Sequence, residues 1–150
     1  MPEVIQKMAT EDIIVVGFVE DLLPMLDKMR ISVAPLRYGA GIKGKIGTAM
    51  SAGLPVVATQ IAAEGMFLEN NENAMIADEP EEFADAIARL YNDEGLWNQL
   101  SVNGLKFAEK AWGAETAWNT LAKILGDLDL PIVQRTRPLK LYQYYSLDKK

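Results

Sequence analysis

The stretch that most constrains this chain runs from Ile31 to Thr59, ISVAPLRYGAGIKGKIGTAMSAGLPVVAT. Ile31 to Pro35 is a short apolar run of the kind that forms a buried parallel strand. Leu36 to Ile42 is a loop carrying Gly39 and Gly41. From Lys43 to Ala52 the apolar residues fall at helical spacing, with Ile46, Ala49, Met50 and Gly53 on one face. Gly53 stands where a helix ends in a left-handed residue. Pro55 to Thr59 reads as the next strand. The whole is a βαβ unit, whose crossover is right-handed and whose ligands bind outside the carboxyl ends of the strands. That end holds Arg37 to Gly44.

The chemistry offered there is anion binding. Glycine lets backbone N–H groups approach a ligand closely. The following helix presents unpaired N–H groups and the positive end of its dipole. Lys43 and Lys45 add full charges, and Lys45 shares a non-apolar helix face with Thr48. The expectation is a loop and helix start that hold the diphosphate of a nucleotide.

Two motif patterns overlap here, and each lacks a partner. Gly39, Gly44 and Lys45 fit a P-loop, but Ile46 stands where Ser or Thr holds magnesium. Gly39, Gly41 and Gly44 fit a dinucleotide fingerprint, but the next strand ends in Thr59 and Gln60 rather than an acid. The phosphate cradle shared by both patterns remains, against the plainer reading of a surface turn. Arg37 reads equally as a solvated loop residue or a ligand contact. Glu64 beside Gly65 reads also as a helix-start carboxylate.

Around this unit the pattern continues as α/β. Met1 to Thr10 reads as a helix end, and the run IIVV within Asp12 to Gly17 as a buried strand. A helix from Asp21 carries Leu22, Leu23, Leu26 and Met29, with Pro24 in its first turn. After Thr59, QIAAEG reads as a loop, followed by a helical turn at Met66 to Leu68. Asn70, Asn71 and Asn73 mark a turn before a short strand, Ala74 to Ala77. Three consecutive helices then follow, from Pro80, Glu94 and Ala114. Gly126 is the expected stop, and residues 127–150 form a tail. Trp97, Trp112 and Trp118 lie on apolar stripes and read as core. The basic, tyrosine-rich tail, with Arg135, Arg137 and Lys140, reads as a docking strap or a membrane-surface contact.

The 150 residues suffice for one domain with its own core. The absence of cysteine and histidine removes disulfides, thiolates and the commonest general base and metal ligand. A net charge of −6 argues against bulk nucleic-acid binding. No run approaches the roughly 18 apolar residues of a membrane span, and no leader pattern opens the sequence. The location expected is cytoplasmic, with peripheral contact at the inner membrane surface through the tail.

Taken in order, VVGFVEDLLPML, the Ile31–Thr59 stretch, AAEGM and NENAMIADEPEEFADAIARLYND resemble the C-terminal half of group 1 glycosyltransferases (family 4, GT-B architecture). The resemblance covers Pro2 to Leu125. It implies a partial Rossmann-like domain over residues 1–126, with a mostly parallel sheet flanked by helices. It further implies the donor-binding portion of a retaining transferase that builds a polysaccharide or glycolipid. The donor would be a UDP- or GDP-sugar, with no other cofactor and no metal. Carried onto this sequence, the donor contacts are Arg37, Gly39, Ala40, Gly41, Lys43, Lys45, Thr48, Glu64 and Gly65, and no residue is assigned to catalysis. The family's two glutamates, a sugar contact and a ribose contact, correspond here to Ala40 and Thr48. The acceptor glycan or lipid would bind an N-terminal domain that the chain lacks, as it lacks the first two β-α units of this one. The chain therefore reads as a fragment or truncated frame, inactive alone. A direct pairing of the Ile13 and Ile31 strands would leave one sheet face bare and favour a homodimer. The rival reading is a non-catalytic interaction module of the same fold.

Overall fold

The computed structural model describes residues 3–130. Seven helices and three strands occupy them: α1 (Glu3–Gln6), α2 (Leu23–Leu26), β1 (Ser32–Ala34), α3 (Gly44–Ser51), β2 (Val56–Ala58), α4 (Gln60–Ala63), β3 (Met75–Ile76), α5 (Pro80–Asn92), α6 (Glu94–Trp112) and α7 (Ala114–Asp127). The strands form one parallel sheet in the order β1-β2-β3. The expected tail from residue 131 onward lies outside the described residues.

The βαβ unit forms as its sequence dictates. Gly53 has φ +67°, and the amides of Gly53 and Leu54 donate back to the carbonyls of Met50 and Ala49, both at 2.9 Å. This is the glycine-ended helix stop that satisfies otherwise orphaned carbonyls. Val56 and Ala58 point to one face of the sheet, where they meet Ile46, Ala49 and Met50 of α3. Val57 points to the other, where Leu90 of α5 and Leu96, Trp97 and Leu100 of α6 cover it. Both faces of β2 are thus dry, as a parallel strand requires. Each of Leu90 and Leu100, wholly buried, contributes about 1.5–3 kcal/mol by leaving water.

Helix α6 closes the amino end of the sheet. Ser101 Oγ donates to the Gly53 carbonyl at 2.6 Å, and Asn103 Nδ2 to the Glu72 carbonyl at 2.8 Å. A Cβ on Gly104 would stand 3.4 Å from the Asn73 carbonyl oxygen, so the glycine permits this close crossing. The helix begins in the core on one face of the sheet and ends with Ala108 in the other. The loops at the carboxyl end are left open.

Several expected elements differ. The strand expected within Asp12 to Gly17 does not form: residues 13–19 carry no ladder, and Ile14 is 82% exposed. It therefore does not pair with β1, and the homodimer argument built on that pairing loses its premise. Its β-branched composition suits a strand, but a strand needs a neighbour to bond to. The helix from Asp21 shrinks to one turn, with Asp21 Oδ1 accepting from the Leu23 amide at 3.2 Å. QIAAEG, read as a loop, starts as α4, because Thr59 caps it by accepting from the Ala62 amide. Met66 and Phe67 lie in a turn, with Phe67 at φ +54°, and Leu68 has no regular structure, so the expected helical turn does not form. Helix α7 runs through Gly126 to Asp127 and has no buried residue.

Candidate functional site

The carboxyl ends of all three strands are stitched together. Thr59 Oγ1, at the end of β2, donates to the Leu36 carbonyl after β1 at 2.7 Å. The Gln60 amide donates to Asp78 Oδ1, just past β3, at 2.7 Å. These bonds fix the loops that follow β1 and β2 relative to each other.

The first loop is built on glycine geometry. Gly39 has φ +141° and Gly41 φ +79°, conformations that L side chains adopt rarely. A Cβ at either position would meet nothing within 4 Å. The backbone shape, not a lack of room, therefore requires glycine. Arg37, Ala40 and Lys45 are exposed along this loop and the first turn of α3. Gly65, in the second loop, has φ +72° and equally open surroundings. Glu64 beside it is exposed and ends α4.

Lys43 joins the two loops. It is only 7% exposed. Its amide donates to Met66 Sδ at 3.4 Å, and its Nζ to the Glu64 carbonyl at 3.5 Å. A lysine is buried this far only when its ammonium finds acceptors. Here the ammonium sits at the carbonyl end of α4, where a cation is favoured. Lys43 thus braces the site from within, whereas Arg37 and Lys45 offer their charges outward.

Thr48 Oγ1 donates to the Gly44 carbonyl one turn earlier at 3.0 Å, leaving its lone pairs open. Its face of α3 lines a groove of about 540 Å³ with Gly44, Gly47, Ser51, Leu23, Met66 and Trp112. Trp112 stacks edge-on to Phe107, with ring centroids 5.2 Å apart, and rests against Gly47. Lys45, three residues earlier on the same helix, is exposed and is not part of the groove lining. Trp97 is core, as its stripe implied, and donates from Nε1 to the Arg30 carbonyl at 2.7 Å.

Thr59 and Asp78 were not among the expected site residues. Thr59 had a legible signal, a helix-cap residue directly before QIAA. Asp78 had none, because its partner lies eighteen residues upstream. Among the described residues, no cluster of three or more acidic, histidine or cysteine side chains is arranged to hold a metal ion. No described helix is long and apolar enough to cross a membrane.

Parallel strands flanked by helices, with glycine loops gathered at their carboxyl ends, make a Rossmann-like domain. The chain belongs to the family described as glycosyl transferases group 1, whose model matches residues 1–93. Among solved structures it is similar to the C-terminal domain of LpcC, a glycosyl transferase group 1 family protein from Francisella tularensis. The TM-score is 0.59 at 21% identity, and the match covers 66% of this chain and 53% of that one. At that identity the likeness speaks for the fold, and the match spans about half the length of that solved domain. No curated protein matches the chain.

Proposed function

We propose that the chain is the donor-binding portion of a retaining glycosyltransferase, taking a nucleotide-diphosphate sugar and passing its sugar to a glycan or lipid held by another domain. The observation that carries this reading is the pair of glycine loops, Gly39–Gly41 and Gly65, open to solvent and braced against each other through Lys43 and the Glu64 carbonyl. In this reading Arg37, Lys45 and the backbone of residues 39–44 face the diphosphate. Thr48 accepts from a ribose hydroxyl, without the charge assistance a carboxylate would give. Ala63, Glu64 and Gly65 line the sugar side, with Ala40 at the position of the family's sugar-contacting glutamate. The chain alone binds donor and does not transfer.

Titration calorimetry with UDP and with GDP tests this. Saturable binding of one nucleotide, weakened about tenfold in Lys45→Ala, is expected, about 1.4 kcal/mol for one charge-assisted contact. Silence with both nucleotides at millimolar concentration would overturn it. A second reading, a non-catalytic interaction module, is favoured by a separate observation: none of residues 3–30 is buried. Absence of nucleotide binding, with an assembly partner bound equally well by Lys45→Ala, would favour that module.

A further inference from the structure

The carbonyl that receives the buried Lys43 ammonium belongs to a tight turn. Glu64 has φ −56° and ψ 126°, Gly65 has φ +72°, and the Met66 amide donates to the Ala63 carbonyl at 2.9 Å. These are the marks of a type II turn with Glu64 and Gly65 at its central positions. The same four residues have an alternative in type I, where φ is negative at both centres and the peptide between them is turned over.

In the observed form the Glu64 carbonyl faces inward to Lys43 Nζ. A trans peptide sets its C=O and N–H on opposite sides, so the Gly65 amide faces away from the lysine. That amide has no acceptor among the described residues, and a Cβ on Gly65 would meet nothing within 4 Å. Among the same residues the Glu64 carbonyl is the one hydrogen-bond acceptor of the ammonium, and no carboxylate lies within ion-pair reach of it. Turning the peptide over would take that acceptor from a charge held out of water, which is costly. It would also aim the Gly65 N–H at the lysine. The Lys43 amide donates to Met66 Sδ at 3.4 Å, which keeps the turn within reach of the ammonium.

We infer that Lys43 is a positioning residue: its ammonium selects the turn form in which the Gly65 N–H is offered outward, as a hydrogen-bond donor to a sugar oxygen of the nucleotide sugar. Lys43 itself touches no ligand in this arrangement and acts through the Glu64 carbonyl. The contact to the sugar rests on the donor-binding reading above; the hold of Lys43 on the turn does not.

Urea unfolding of Gly65→Ala in two backgrounds tests the hold. In the otherwise unchanged chain alanine is forced to φ +72°, and the unfolding equilibrium constant should rise about tenfold. Lys43→Met removes the charge and keeps an unbranched side chain. There the turn is free to take the type I form that alanine tolerates, and Gly65→Ala should cost less than about threefold. A merely stabilising lysine predicts equal costs, so costs that differ by less than about twofold overturn the inference. The unsubstituted chain gives a measurement that needs no variant to fold. Its Gly65 amide should exchange hydrogen freely, while the bonded Met66 amide is slowed; equal protection of the two also overturns it. Calorimetry with UDP and UDP-glucose, and with GDP and GDP-mannose, reads the sugar contact. A sugar nucleotide should bind more tightly than its nucleotide, and Lys43→Met should cut that advantage by about fivefold, the loss of one hydrogen bond. No advantage in the unsubstituted chain, or one unchanged by Lys43→Met, overturns the Gly65 contact. If the unsubstituted chain binds neither nucleotide, the donor-binding reading fails and takes that contact with it, while the unfolding comparison still decides what Lys43 does.

Discussion

Ile14 and Val57 sit in apolar runs of nearly the same composition, IIVV and PVVA, yet one is 82% exposed and the other fully buried. The difference is neighbours. Val57 has β1 and β3 on either side and Leu90 and Leu100 over it. Ile14 has α1 near one face of its segment and no ladder on either edge. The contrast extends to the regions that hold them: no residue from 3 to 30 is buried, whereas β2 is buried throughout. Strand propensity is a surface that fits a pleated neighbour, and it is idle where the neighbour is missing.

That contrast can be broken or sharpened by substitution. The largest effect is expected from Leu100→Ala, which opens a cavity beside Val57 in the packed region and should destabilise the fold by about 2–5 kcal/mol. Phe18→Ala, an equally drastic trimming in the exposed region, should change the stability read from urea unfolding by no more than about 0.5 kcal/mol. Comparable losses from the two would show that the N-terminal region has a core of its own. Next comes Gly53→Ala, which forces a side chain into φ +67° and should cost about 1–2 kcal/mol. Thermal unfolding would read it. Ser101→Ala removes the 2.6 Å bond that ties α6 to the start of β2, with a loss of about 1 kcal/mol expected by the same measurement. Smallest in stability is Lys45→Ala. This exposed residue should leave the unfolding free energy within about 0.5 kcal/mol while weakening nucleotide binding, so calorimetry and unfolding should part company there. If they move together, Lys45 supports the fold and not a ligand.

Much of the packed region was legible in the sequence. The strand, glycine loop, helix and strand from Ile31 to Thr59 follow from local rules: apolar runs of strand length, helical spacing of Ile46, Ala49 and Met50, and a glycine at the helix stop. The helices from Pro80, Glu94 and Ala114 followed from the periodicity of their apolar residues; in the structure Asp93 caps the second, its Oδ1 accepting from the Leu96 amide at 2.9 Å. The positions of the loop glycines were legible as well, since a left-handed backbone selects glycine whatever surrounds it.

The site's internal division of labour was not legible. Lys43 and Lys45 are two residues apart and chemically the same, and nothing local says that one is buried against the Glu64 carbonyl and the other open. The link from Gln60 to Asp78 spans eighteen residues and exists only once β2 and β3 lie side by side. Nor could the sequence distinguish IIVV from PVVA. By itself it determined which segments are able to become strands and helices, because backbone conformation and amphipathic spacing are local properties. Only the tertiary structure decided which of them did. Burial, ladder bonds and the pairing of a lysine with a distant carbonyl depend on neighbours that the chain must first bring together.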